Sequence, residues 1–386
     1  MKRMTLMALA ICILFCGCTA AAPGTEPSQT LTTAPSTQAT PQASTQSTTQ
    51  ATTVPSQPAT QPTTQPSTQP TETEPPMLYQ NPLTGEPMAE PYTGRPAAVM
   101  LNNHKQAMPQ FGVGDADILY EVLAEGGITR CMGIYSDISS VERLCSIRSA
   151  RKYYVEILRG YDAWFVHAGG SAEADAYMKN IGLNHLDGVS ADESWFKRDR
   201  DRLNAGYSSE HTLYTTGQWA VSGASKKGFD LTTENASYGM TFDDKAVIVG
   251  QSAKKLTVYF NMGGKPGSYT KSTAFTYDPD TKLYSAAQYG AAYVDANTGK
   301  VATFRNILVL RMATSVQSGT ELLTINTTGS GSGYFICNGQ LVNIKWSRSS
   351  TTQPFTYTLE NGSPITFGVG STYIGVIPTN ATIVFE

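Results

Sequence analysis

Apolar and polar positions divide the 386-residue chain into three stretches of different texture. Residues 6–15 form a nearly unbroken apolar run, about half of the roughly 20 residues a helix needs to cross a bilayer. Residues 19–76 are almost entirely Thr, Pro, Ser, Gln and Ala, with no apolar period of either kind. A chain of that composition cannot bury enough apolar surface to offset its ordering entropy, which predicts a disordered linker. Folded patterning begins near residue 77.

Within 77–225 strands and helices alternate. Residues 96–101 read as a buried strand running into Asn102-Asn103-His104. Residues 114–123 fit helix and strand templates equally. A Gly126-Gly127 turn precedes a strand over 128–135. The spacing of Tyr153, Tyr154, Ile157 and Leu158 predicts a helix over 149–160, with Ser149 as N-cap and Gly160 as the stop. A strand over 163–167 then leads through Gly169-Gly170 to Ser171, which caps a helix over 172–181. This is an α/β ectodomain, a mixed sheet with helices packed on it. After a connector over 226–249, the period becomes two. Strand-like runs occur at 256–260, 273–277, 282–286, 307–312, 333–337, 341–346, 355–359, 365–367, 373–377 and 382–385. Asn338-Gly339 and Asn361-Gly362 mark hairpins, Asp278-Pro279-Asp280 a turn, and 328–333 a flexible Gly/Ser loop. Residues 250–386 therefore read as an all-β C-terminal domain.

The chemistry of the leader changes the picture of the first stretch. Lys2 and Arg3 precede the apolar run, which ends in Leu14-Phe15-Cys16-Gly17-Cys18. A small residue before a cysteine at that place resembles a bacterial lipobox. Residues 1–18 then read as a lipoprotein signal, cut before a lipidated Cys18. The plainer alternative is an ordinary secretory leader. Two acyl chains would hold the protein on the outer face of the cytoplasmic membrane, an extracytoplasmic address. The linker, 19–76, would then be a leash whose coil averages about 45 Å.

Net charge is −3 with no basic run, so nucleic-acid binding by counterion release is not expected. Beyond the leader only Cys131, Cys145 and Cys337 remain; a Cys131–Cys145 disulfide stays open. No cysteine–histidine spacing fits zinc, and neither metal nor cofactor is expected.

Several motifs carry a family resemblance: Asn81-Pro82-Leu83-Thr84-Gly85, Arg95-Pro96-Ala97-Ala98-Val99-Met100-Leu101-Asn102-Asn103, Glu125-Gly126-Gly127-Ile128-Thr129-Arg130, Arg148-Ser149-Ala150-Arg151 and His167-Ala168-Gly169-Gly170-Ser171. In this order they resemble the YerB-type lipoprotein family, DUF3048 envelope proteins of Gram-positive bacteria. The resemblance spans essentially the whole ectodomain. It implies a two-domain DUF3048 architecture and brings no biochemical activity.

Candidate chemistry gathers where strands are expected to end. Asn102, Asn103 and His167 follow strands, and open α/β sheets bind ligands beyond strand carboxyl ends. Arg148 and Arg151 would sit at a helix start, where guanidiniums grip a carboxylate or phosphate. Glu125, Arg130, Ser171 and His211 complete a candidate ligand-binding crevice. The plainer alternative pairs Arg148 and Arg151 with Glu125 and Asp117 as structural ion pairs. A Ser171, His167 or His211, and Asp175 triad can also be drawn, although Ser171 fits a helix cap better and no nucleophile elbow is present. The mixed-charge run 199–202 reads as a solvated loop. Three functions remain, with a lean toward the non-catalytic first. They are a binder of an anionic or polar cell-wall glycan or envelope protein, a wall hydrolase using His167, His211 or Ser171, and a structural scaffold.

Overall fold

In the computed structural model, the described residues are 79–386 apart from 191–193, 235, 246 and 268–269. The leader, Cys18 and the polar linker lie outside the described residues. Among the described residues no helix is long and apolar enough to cross a membrane.

The chain folds around an eleven-stranded mixed sheet. Its strands are β1 (Ala97–Asn102), β2 (Ile118–Leu123), β3 (Thr129–Tyr135), β4 (Trp164–His167) and β5 (His185–Asp187) from the N-terminal half. The C-terminal half adds β6 (Gln251–Ser252), then β10 (Asn306–Met312), β11 (Gly329–Cys337), β12 (Gln340–Arg348), β13 (Thr356–Leu359) and β14 (Thr372–Pro378). The order is β6-β12-β11-β10-β14-β2-β3-β1-β4-β5, with β13 also on β12. The seam between the halves is the parallel pair β14–β2, with Thr372 opposite Ile118 and Val376 opposite Val122. A single sheet thus runs through both halves, and the change from α/β to all-β is a change of what covers it.

Every residue of β1, β2, β3 and β14 is buried. Strands covered on both faces read as continuous apolar runs, without alternation. That is why 114–123 fitted two templates. Helix α1 (Lys152–Leu158) lies on the face that Tyr120 points to, with the Tyr154 hydroxyl donating to the carbonyls of Val122 and Arg130. The opposite face carries a six-stranded sheet built on β7 (Lys255–Tyr259), β8 (Ser272–Asp278), β9 (Leu283–Gln288) and β15 (Ile383–Phe385). Phe275 and Phe304 of this sheet pack on Tyr373 of β14 at 4.7 and 5.6 Å between ring centroids.

Several expectations need correction. Ser149 does not cap α1. The helix starts after Arg151, because residues 147–150 are drawn into the main sheet, and it runs past Gly160 in a tight turn closed by Asp162 at φ 49°. Gly160 is small for another reason: a Cβ there would meet the Arg348 guanidinium at 2.8 Å and the Gln353 carbonyl at 2.9 Å. Residues 329–333 are not a loop but the first half of β11, where a Cβ at Gly331 would meet the Trp346 ring at 2.5 Å. Residues 365–367 make only isolated bridges, because Phe367 pairs with Phe242 outside any strand. The run 199–202 is not a solvated loop. Asp199 caps helix α3 (Arg200–Asn204), and the buried Arg202 donates to the carbonyls of Ala107 and His211. Cys131, Cys145 and Cys337 are free and buried, and burial pushes the Cys145 thiol up to about 11.

The seam makes the two halves one cooperative unit. Ile374→Ala, at a fully buried site opposite Tyr120 and Leu308, is expected to destabilise the protein by about 2–5 kcal/mol. Denaturant unfolding followed by near- and far-ultraviolet circular dichroism should still give one transition for the folded region. Two separated transitions would contradict a shared sheet.

Candidate functional site

The sheet itself assembles the crevice. Over Ala97, Ala98 and Val99, β1 pairs in parallel with β4. Beyond that point the two strands part, and residues 147–150 enter between them. Arg148 N–H donates to Met100 O at 3.0 Å, and Ala168 N–H donates to Arg148 O at 3.0 Å. Ala150 N–H donates to Gly169 O at 2.9 Å, and Ser171 N–H to Ala150 O at 3.3 Å. Backbone hydrogen bonds alone therefore bring the 102–104, 148–151 and 167–171 motifs to the carboxyl end of the sheet.

The arginines take different partners. Arg151 grips Glu125 in bidentate fashion, Nε to Oε1 at 2.6 Å and Nη2 to Oε2 at 3.1 Å, and Arg130 adds a contact at 3.0 Å. Burial by itself would raise the Glu125 pKa. The Arg151 hydrogen bonds and the Arg130 charge outweigh it and hold the carboxyl below its usual range. Arg148 pairs instead with Glu210 at 2.8 Å; the Arg148 side chain is 18% exposed and that of Glu210 54%. The Arg148 Nε is buried and makes no hydrogen bond among the described residues. Asp117, the other acid expected to meet these arginines, accepts from Ser136 N–H instead, and burial lifts its pKa to about 6.

Around Arg148 sit Asn102 and two histidines. Asn102 Nδ2 donates to His211 Nδ1 at 2.8 Å, so the ring proton of a neutral His211 lies on Nε2, which faces Glu210 at 3.8 Å. His104 stacks on His211 with ring centroids 5.5 Å apart. Burial holds His211 below the ordinary histidine range, despite the Glu210 charge. The turn Ser209–His211 that carries Glu210 is held by Arg148, Arg198 and Arg202, each donating to one of its carbonyls.

His167 and Ser171 belong to a separate cluster. His167 Nδ1 donates to Gly169 O at 2.9 Å, and Nε2 accepts from His185 Nδ1 at 2.9 Å. Burial lowers the pKa of His167, and burial plus the His167 charge lower that of His185. Ser171 Oγ accepts from Ala174 N–H and caps helix α2 (Ala172–Ile181). Asp175 packs against Gly170. The geometry directs His167 to Gly169 and His185, and the Ser171 hydroxyl to its own helix.

Asn103 leaves the crevice altogether. Neighbouring residues of an extended chain face opposite ways, so Asn102 meets His211 while Asn103 turns between the two sheets. Its Nδ2 donates to Glu121 Oε1 at 2.9 Å and to Thr129 at 2.8 Å. Glu121 is fully buried on β2 and also meets Lys271 at 2.8 Å, Thr129 at 2.7 Å, Thr273 at 2.6 Å and Tyr373 at 2.8 Å. Burial alone would raise its pKa, yet Lys271 and these hydroxyls hold it low. Among the described residues no set of three or more His, Cys, Asp or Glu is arranged to hold a metal.

Comparison with known proteins places the chain. Residues 83–230 match the "Protein of unknown function (DUF3048) N-terminal domain" and residues 266–374 the DUF3048 C-terminal domain. The chain belongs to the DUF3048 family. A relative in Bacillus subtilis (strain 168), named "Putative lipoprotein YerB", is 28% identical over 301 residues, covering 77% of this chain and 86% of the relative. The crystal structure of the YerB protein from Bacillus subtilis is similar with a TM-score of 0.69 at 27% identity, over 79% of this chain and 99% of that one.

In this DUF3048 protein the structure divides the residues that sequence reading grouped, and that reading missed Glu210 and His104 beside His211, and Glu121 and Lys271 as a buried pair. A lone glutamate inside the apolar run 118–123 was the available signal for Glu121. Lys271 carried none.

The depressed Glu125 pKa fixes a pH dependence. A carboxylate held below its unfolded value of about 4.3 contributes stability that is present above that pH and lost as pH falls through the folded value. Glu125→Gln is therefore expected to be less stable than wild type at pH 7, with the gap closing below about pH 4. Thermal melts across pH 3–7 check this, and a constant gap would contradict the ion-pair geometry.

Proposed function

We propose that this DUF3048 protein is a lipid-anchored, extracytoplasmic binding protein that holds a carboxylate- or phosphate-bearing cell-wall component at Arg148, without turning it over. One observation carries the reading. Arg148 is the crevice arginine whose acidic partner is half-exposed, a glutamate on a short turn. Glu210 can yield its place to an incoming anion, whereas Glu125 is fixed between Arg130 and Arg151. A planar guanidinium suits bidentate capture of such an anion. Asn102 and a neutral His211 beside it offer polar contacts without competing charge. The anchor rests on the lipobox-like Leu14-Phe15-Cys16-Gly17-Cys18 and on the lipoprotein name of the relative.

The engagement of Ser171 as a cap and of His167 by Gly169 and His185 favours binding over hydrolysis. A hydrolase needs its nucleophile and base within reach of each other beside an open pocket.

Two measurements test the reading. With purified wall fragments and isothermal calorimetry, Arg148→Ala should weaken binding by about tenfold or more, the loss of one charge-assisted hydrogen bond. Glu210→Gln should tighten it. Mass spectrometry of the fragments should find them unaltered; released products would point to a hydrolase, and no binding at all to a scaffold. Separately, Cys18→Ser should abolish palmitate incorporation and move the protein from the membrane fraction to the medium.

A further inference from the structure

A second constellation, remote in role from the crevice, lies between the two sheets. Asn103 follows β1, Glu121 is on β2, and Lys271 directly precedes β8. Lys271 Nζ and Asn103 Nδ2 both reach one atom, Glu121 Oε1, at 2.8 and 2.9 Å. All three side chains are buried. Aromatic rings enclose them: Lys271 Nζ lies 5.8 Å from the Phe260 ring and 4.9 Å from that of Tyr289, and the Tyr373 hydroxyl donates to Glu121. Asn103 Oδ1 is buried and makes no hydrogen bond among the described residues.

Lys271 Nζ also donates to Ser272 O at 3.1 Å and to Thr273 Oγ1 and Gln288 Oε1 at 3.0 Å, so the buried pair is fully hydrogen-bonded. The reaction requires transfer of one proton along the 2.8 Å contact, which gives the reactive form with Lys271 as an amine and Glu121 as a carboxylic acid. An amine and a carboxamide that share one carboxyl oxygen as hydrogen-bond partner have the parts required for acyl transfer. Proximity of this kind replaces a slow bimolecular reaction by an intramolecular one. The acid supplies the proton transfers. The Asn103 carboxamide has the same shape in its two flips. Turned over, its oxygen would meet the Glu121 acid proton, and its nitrogen would occupy the position of the orphaned oxygen.

We propose that Lys271 and Asn103 become joined by an intramolecular isopeptide bond, with Glu121 as the proton carrier. Lys271 Nζ attacks Asn103 Cγ while Glu121 protonates Oδ1. Glu121 then takes a proton from Nζ and passes it to Nδ2. The Cγ–Nδ2 bond breaks, the Cγ–Nζ amide remains, and ammonia leaves with the extra proton as ammonium. Glu121 returns to carboxylate. No oxidant, metal or cofactor enters the balance. The product ties the end of β1 to the start of β8 and fastens the N-terminal half to the C-terminal half by a covalent bond. In an envelope protein this would resist proteolysis and mechanical load without relying on a disulfide.

The test is peptide mapping of the denatured, full-length protein by trypsin and tandem mass spectrometry. Lys105 separates Asn103 from Glu121, so trypsin delivers them in different peptides. The expected product is a branched peptide containing Asn103 and an uncleaved Lys271, lighter by one ammonia than its two linear parts. Glu121→Gln and Lys271→Arg should each restore linear peptides. Wild-type protein decides the matter even if both variants misfold. Linear peptides alone, with cleavage after Lys271, would overturn the proposal, as would a branch on Glu121.

Discussion

The parallel pair of β2 and β14 is the interaction on which the rest of this protein depends. It joins residues 118–122 to residues 372–376, at opposite ends of the folded chain, and every side chain on both strands is buried. Parallel strands covered on both faces need layers above and below. Here α1 supplies one and the six-stranded sheet the other. The seam also dictates where charge can go. Glu121 points from β2 into the space between the sheets, where only Lys271 and a ring of hydroxyls and amides make its ionisation tolerable.

The crevice is built by the same economy of backbone. Residues 147–150 fill the gap where β1 and β4 part, so Arg148 and Arg151 emerge from an extended segment rather than from a helix. Arg151 and Arg130 lock Glu125 and thereby the turn at Gly126-Gly127. Arg148, three residues earlier, faces a half-exposed partner, Glu210. Two guanidiniums in one motif thus serve different ends: one fixes the Glu125 loop, the other pairs with the turn that carries Glu210.

Much of the fold was legible in the sequence. The apolar runs of β1, β3 and β4, the Ser171 cap and the Asn338-Gly339 hairpin are local features, set by side-chain period and turn chemistry. What escaped was set at long range. Ser149 has cap chemistry, but pairing with β1 and β4 recruits its neighbourhood first. Gly329 to Gly333 look loop-like because glycine is permissive, yet close approach to Trp346 and to Val309 O is what requires it. Asn102 and His167 do lie at strand ends, but sequence could not say that Asn102 and Asn103 part company, nor that His167 is tied to His185. Those facts depend on which face each side chain takes.

The seam has a bearing on biosynthesis. A chain made from its N-terminus presents β2 with a bare hydrogen-bonding edge until residues 372–378 have emerged, about 250 residues later. Until then the central sheet has no neighbour on that side, and long-range parallel pairing is slow to form. Closure of the central sheet therefore waits for β14, however early the N-terminal half has been made.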